Sequence, residues 1–235
     1  FSLDETTLSV DLSDATQAVK ESRFEDALNL LKVLLKENPN HIDILYLSAV
    51  STRFLKQFEV SLKHIEQLLF NAPDMGRAYQ ELGHLNRDMG NEEKAVMHYR
   101  QACELNPALP SSWSYLHKYF EKIQNKPAAD HALEQIKKLQ SLPGLLLFIE
   151  QILNEGRLGL AETKCRAFLK ENPTHTYAMS LLAEIANRFG YFDDAEFLLQ
   201  KAVEFKPKDG DLRLKYASIL RKKQQFAQTT EQVNI

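Results

Sequence analysis

Residues 76–109, GRAYQELGHLNRDMGNEEKAVMHYRQACELNPAL, read as two helices joined by a tight turn. Gly83 marks the point where the first helix must approach the second, and Ala95 is its counterpart on the second. A large side chain at either point would push the axes beyond the usual separation of about 8–10 Å. Gly90 ends the first helix, because glycine takes a left-handed C-cap without steric cost, and Asn91 can cap the next one. Pro107 ends the second helix.

The unit recurs along the chain. Prolines 39, 73 and 107 are spaced 34 residues apart, as are 173 and 207. The small residue of the second helix recurs as Ala27, Ser61, Ala95, Ala129, Ala161, Ala195 and Thr229, in steps of 34, 34, 34, 32, 34 and 34. This register predicts seven repeats, at about 8–41, 42–75, 76–109, 110–141, 142–175, 176–209 and 210–235, with the last cut short. A two-residue deletion falls between the fourth and fifth. The first helix of repeat one is expected over about Asp11–Ser22, as a cap on the stack. Phe24, Phe58, Phe192 and Phe226 stand in register just inside second helices, where packing between neighbouring helices is the simplest role.

The set Tyr79, Leu82-Gly83, Asn86, Gly90, Ala95, Tyr99, Ala102 and Pro107 resembles the tetratricopeptide repeat. Trp113 and Leu116 match the family's tryptophan and leucine in repeat four. The resemblance implies an all-α fold, a right-handed α-solenoid (superhelix) of about seven antiparallel helix pairs forming one domain over 1–235. A single pair cannot bury its apolar face, so copies stack, and such stacks most often bind other proteins.

Composition narrows the function. Net charge is −3, so there is no basic surplus to neutralise a run of phosphates, and nucleic acid is not the expected partner. The two cysteines, Cys103 and Cys165, are too few for a disulfide framework and read as small buried hydrophobes, which fits a reducing, cytoplasmic setting. No signal peptide is recognisable, and no run reaches the roughly 18 apolar residues of a membrane helix. The chain starts without methionine and stops where a second helix should continue, so an excised fragment is expected.

No catalytic or metal motif is present: there is no HExxH, paired CxxC, GxSxG or phosphate-binding glycine loop. Neither enzyme activity nor a cofactor is expected, and the scattered histidines, His84 and His117 included, read as surface or satisfied core residues. In the resembling family the first helices line a groove. Carried over by register, its inward positions are Tyr46, Val50 and Arg53, then Gln80, His84 and Arg87, then Ser114, Lys118 and Lys122. Repeat five adds Leu146, Glu150 and Leu153, and repeat six adds Ser180, Glu184 and Arg188. The implied ligand is a protein or peptide. Arg53, Arg87, Lys122, Arg188 and Arg221 recur near the ends of first helices, either as a basic ladder for acidic peptide or because cations favour helix C-termini. One subclass of the family binds chaperone C-terminal carboxylates through groove lysines and asparagines. Leu12, Thr16 and Tyr46 stand at those places here, which argues against that role. The last two repeats, LLAEIANRFG through TTEQV, are also similar to the segment preceding the catalytic domain in bacterial proteins that join such repeats to a sulfotransferase. That resemblance implies an accessory module presenting substrate to a catalytic domain beyond Ile235.

Repeats four and five depart from the pattern. His117 and Ile149 replace the small residue of the first helix, so both pairs should splay. With the deletion and Pro143-Gly144, a bend is expected at 138–146. The apolar helix Leu145–Leu153 carries more hydrophobic surface than one face can bury, so it either packs inside the bend or offers, like the truncated last repeat, a place for association.

Overall fold

The computed structural model describes the backbone of residues 5–223 and the side chains of residues 12–223. Every regular element among them is an α-helix. The chain divides after Leu139 into two compact units, each an array of antiparallel helix pairs. The first contains α1 (Glu5–Lys20), α2 (Phe24–Glu37), α3 (Ile42–Phe54), α4 (Phe58–Asn71), α5 (Gly76–Asp88), α6 (Glu92–Leu105), α7 (Pro110–Lys122) and α8 (Lys126–Gln140). The second contains α9 (Gly144–Asn154), α10 (Leu158–Glu171), α11 (Thr176–Phe189), α12 (Phe192–Phe205) and α13 (Gly210–Lys222). Helix α1 starts earlier than the sequence pattern suggested. Phe226 and Thr229 lie outside the described residues, and with them the second helix of the last repeat.

The turn inside each pair repeats one geometry. Ser22, Lys56, Gly90, Gln124, Gly156 and Gly190 all have positive φ, between 58° and 83°. The next residue's N–H reaches back five residues: Arg23 to Ala18, Gln57 to Thr52, Asn91 to Asn86, Asn125 to Phe120, Arg157 to Ile152 and Tyr191 to Ala186, all at 2.8–3.0 Å. This is the six-to-one bond of the Schellman motif, which satisfies a carbonyl left open by the ending helix. Asn91 therefore acts through its backbone; its side chain makes no cap bond, contrary to the sequence reading.

In the first unit, helices α5 and α6 approach closely because Gly83 has no side chain: a Cβ there would lie 2.7 Å from the Tyr99 ring. Tyr99 is fully buried, with Tyr115 against it at a ring separation of 4.4 Å. Between α3 and α4, Ala49 stands in register with Gly83, and the Ser61 hydroxyl donates to the Ala49 carbonyl at 2.9 Å. Helices α7 and α8 approach less closely than α5 and α6, as expected from His117, while Leu116, Phe120 and Ala129 still share one core cluster. The imidazole fills the gap, its Nδ1 3.0 Å from the Ala129 carbonyl. The phenylalanines in register are only partly covered. Phe24 stacks on Phe54 at 4.2 Å, Phe58 packs against the Ile65–Leu85 cluster, and Phe192 is exposed beneath the Lys222 ammonium.

In the second unit, Leu146, Ile149, Ile152 and Leu153 form a core with Ala161, Cys165, Ala178 and Ile185. Leu146 is 0% and Leu153 2% exposed. The expectation that these two leucines line an open face is corrected: α9 turns them into the seam with α10 and α11 and leaves only Leu145 and Phe148 of its large apolar residues exposed. Helices α9 and α10 are less close than α11 and α12 but closer than α7 and α8.

Candidate functional site: the polar face of the first helices

The groove positions read from the sequence lie on α3, α5 and α7 in one unit and on α9 and α11 in the other. In the first unit they surround a charged cluster. Arg53 on α3 is 5% exposed at its side chain, and its guanidinium pairs with Glu81, 3% exposed, and with Asp88 at 2.8 Å, both on α5. Its flat face lies over Phe54, 4.3 Å from the ring centre. Burial pushes the Glu81 carboxyl above its usual range against the pull of Arg53. Asp88, although burial opposes it, is held low by hydrogen bonds from Arg87 and Arg53. Arg53 is thus a structural cation consumed inside the unit. It cannot serve as the first rung of a basic ladder without leaving Glu81 unpaired, and uncompensated buried charge is costly.

His84 stands beside this cluster. Its Nδ1 is 2.6 Å from the Tyr99 hydroxyl and 3.4 Å from Arg87 Nη1. Arginine can only donate, so Nδ1 acts as the acceptor and the hydrogen sits on Nε2. Burial first, then the charges of Arg53 and Arg87, lower its pKa to about 3, so the ring is neutral near pH 7. Its Nε2–H makes no hydrogen bond among the described residues. One turn earlier, Gln80 accepts from the Ser112 hydroxyl at 3.1 Å through its carbonyl oxygen, which leaves its amide N–H₂. One turn later, the half-exposed Arg87 lies against Asp88 at 2.7 Å. On α7, Lys122 pairs with Glu92 at 2.7 Å in the open, while Lys118 is exposed and makes no ion pair among the described residues. Tyr46 on α3 is partly buried, with the Arg77 guanidinium 4.9 Å above its ring. Val50 is buried.

In the second unit the corresponding side chains are tied to one another. The Tyr177 hydroxyl donates to Glu150 at 2.6 Å. Arg188 reaches the Leu153 carbonyl at the end of α9 at 2.8 Å and also holds Glu184 at 2.9 Å. Ser180 is buried and accepts from Lys215 at 2.7 Å, and Lys222 donates to Asn187 at 2.7 Å. Arg221 is exposed. Sequence reading missed Glu81, Asp88, Tyr177 and Lys215. A signal was available: the bonds Arg53–Asp88, Arg188–Leu153, Lys215–Ser180 and Lys222–Asn187 all span 35 residues, one repeat plus one.

Both cysteines are buried and unpaired, as the sequence implied. Burial pushes the Cys103 thiol up to about 12 and the Cys165 thiol to about 11, which leaves neither as a ready nucleophile. Among the described residues no group of three or more His, Cys, Asp or Glu could hold a metal ion. No helix among them is long and apolar enough to cross a membrane.

Residues 76–109 match the family of the tetratricopeptide repeat. No curated protein matches the chain. Among solved structures, the chain is similar to MamA at 15% identity, covering 86% of this chain and 92% of that one, with a TM-score of 0.45. It is similar to TTC0263, a thermophilic TPR protein of Thermus thermophilus, at 24% identity, 91% and 99% coverage and a TM-score of 0.41. A tetratricopeptide repeat protein of Parabacteroides merdae gives 14% identity, 93% and 86% coverage and a TM-score of 0.46.

Proposed function

We propose that this chain is a non-catalytic scaffold of tetratricopeptide type that binds a peptide or extended protein segment along its first-helix face. The observation that carries this reading is the row Gln80, His84 and Arg87 on α5, together with the exposed Lys118, which stands on α7 one repeat after His84. The row supplies an amide N–H₂, a neutral imidazole N–H and a guanidinium at one-turn spacings, and Lys118 adds an ammonium without an ion pair among the described residues. All four are donors, so the fitting ligand presents acceptors: backbone carbonyls and at least one carboxylate. Because Ser112, Tyr99 and Asp88 already orient three of them, little side-chain entropy is lost on binding. Two buried, unpaired thiols support placement in a reducing compartment such as the cytoplasm.

Selection of peptides from a displayed random library, followed by affinity measurement on the whole chain, tests the reading. Recovered peptides should be enriched in acidic residues and should lose about tenfold in affinity on Arg87→Ala or Lys118→Ala. Selection of nothing, or of peptides indifferent to both changes, refutes it. The alternative, an accessory module of a larger sulfotransferase polypeptide, rests on the similarity of residues 181–233 alone. The downstream sequence of the parent gene decides it by the presence or absence of a phosphosulfate-binding loop.

A further inference from the structure

The second unit carries a pocket that repeat packing does not require. It lies between α10, α11 and α12, has a volume of about 200 Å³, and has Ile185 and Leu198 among the residues that line it. Three aromatic side chains border it with much of their surface open: Phe189 at 39%, Tyr191 at 60% and Phe197 at 60% exposure. Phe189 and Tyr191 stack on each other with ring centres 5.8 Å apart. Solvated rings of this kind cost free energy unless something covers them, and a contiguous exposed apolar patch marks a site of interaction.

Repetition within the chain supplies a control. The residues in register with Phe189 are Glu21, Leu55, Met89, Ile123 and Glu155; those with Tyr191 are Arg23, Gln57, Asn91, Asn125 and Arg157. Those in register with Phe197 are Asn29, Lys63, Met97, His131 and Thr163. Phenylalanine, tyrosine and tryptophan are absent from all fifteen, although all belong to the same helix-turn-helix geometry. The three rings are therefore not needed to build a repeat, and their coincidence around one cavity needs another reason.

Charge identifies what would fill it. Glu162 and Asp194 stand at the pocket together with Arg166. Arg166 is paired with Glu162 at 2.8 Å, whereas Asp194 makes no salt bridge among the described residues. The pocket thus combines aromatic faces with one carboxylate in excess. Aromatic faces attract cations through their quadrupole, and a planar guanidinium can stack on rings while its edge pairs with a carboxylate; a compact ammonium pairs with the carboxylate but has no plane to stack. We propose that this pocket receives an arginine side chain of a partner protein, its guanidinium against Tyr191 and Phe197 and its N–H groups on Asp194. The site is distinct from the first-helix face.

The test uses the whole chain and four short peptides, identical except for a central arginine, citrulline, lysine or norleucine, followed by the aromatic resonances of Phe189, Tyr191 and Phe197. The arginine peptide is expected to shift all three, with the neutral isostere citrulline weaker by about tenfold. Asp194→Asn and Phe197→Ala should each weaken the arginine peptide by about fivefold or more, without changing the thermal midpoint, since Phe197 is largely exposed. Equal binding of the norleucine peptide would make the pocket a plain apolar cleft and overturn the proposal. Equal binding of lysine overturns the guanidinium assignment, and no shift with any peptide overturns the site. None of these outcomes bears on the first-helix face, whose test uses Arg87 and Lys118.

Discussion

Gly83→Ala should destabilise the chain, although alanine is the better helix former. Carbon atoms in favourable contact sit at about 3.5–4.0 Å. The added Cβ would lie 2.7, 2.8 and 3.0 Å from three atoms of the Tyr99 ring. The ring has nowhere to go: it is fully buried, Tyr115 lies against it, and its hydroxyl is held by His84 on the same helix as Gly83. Overfilling a tight core costs about 1–3 kcal/mol, and removing a mid-helix glycine returns about 0.5–1 kcal/mol. The net range is about 0–2.5 kcal/mol, and the three short approaches to a ring that cannot move place the expected loss at about 1 kcal/mol or more. Gly159→Ala is the control, for a Cβ there meets nothing within 4 Å, and it should be neutral or stabilising.

Urea unfolding followed by far-UV circular dichroism reads the total, and hydrogen exchange in α5 and α6 assigns it, since stability in repeat arrays is a sum of local and neighbour terms. A double-mutant cycle with Tyr99→Leu isolates the clash. The alanine should cost at least about 1 kcal/mol less in the Tyr99→Leu background than in wild type. Equal stability of Gly83→Ala and wild type, or a cycle without coupling, would refute the close-approach account of repeat three.

Three further perturbations test other parts of the structure. Arg53→Met should cost about 3–5 kcal/mol in urea unfolding by stranding the buried Glu81, and Arg53→Met with Glu81→Leu should recover most of it. Because the His84 pKa falls from 6.5 to about 3 on folding, only the unfolded chain takes up this proton as pH drops below 6.5. The associated stability is complete above pH 6.5 and declines towards pH 3. Between pH 7 and 5 it amounts to about 2 kcal/mol, which His84→Gln should remove from the measured pH dependence. Gln124→Gly relieves a side chain from left-handed backbone and should raise stability by up to about 1 kcal/mol, whereas Gly90→Ala at the equivalent turn should lower it by about 1 kcal/mol.

The helices and their order were legible because the period is carried by steric necessities: small residues at contacts, prolines after second helices, a left-handed residue in each turn. Even so, glycine marks only three of the six left-handed turns; Ser22, Lys56 and Gln124 occupy the others. The period, more than the residue type, locates them. The burial of Leu146 and Leu153 was not legible from α9 alone. A helix apolar on most sides does not say which side meets its neighbours, and the answer came from where α10 and α11 lie.

The groove was the least legible part, and the reason is physical. Register names the positions that face one way, but not whether a polar side chain there is spent on the next repeat. Arg53, Glu150, Ser180 and Arg188 all bond to groups about one repeat away, so the face is partly a set of rivets between first helices. A related compensation explains repeat five. Residues sixteen apart oppose each other within a pair, and their sizes trade off: Ala15 with Leu31, Ala49 with Ile65, Gly83 with Tyr99, Ala183 with Leu199, and Ile149 with Cys165. Ile149 is large where its counterparts are small, yet Cys165 is small where theirs are large, and both are fully buried in one cluster. In repeat four the residues sixteen apart are His117 and Leu133, both large, and the imidazole bonds to the Ala129 carbonyl of α8. The same trade explains why Gly83→Ala is costly only while Tyr99 is present: combined with Tyr99→Leu, the pair would become alanine and leucine, as at Ala15 with Leu31.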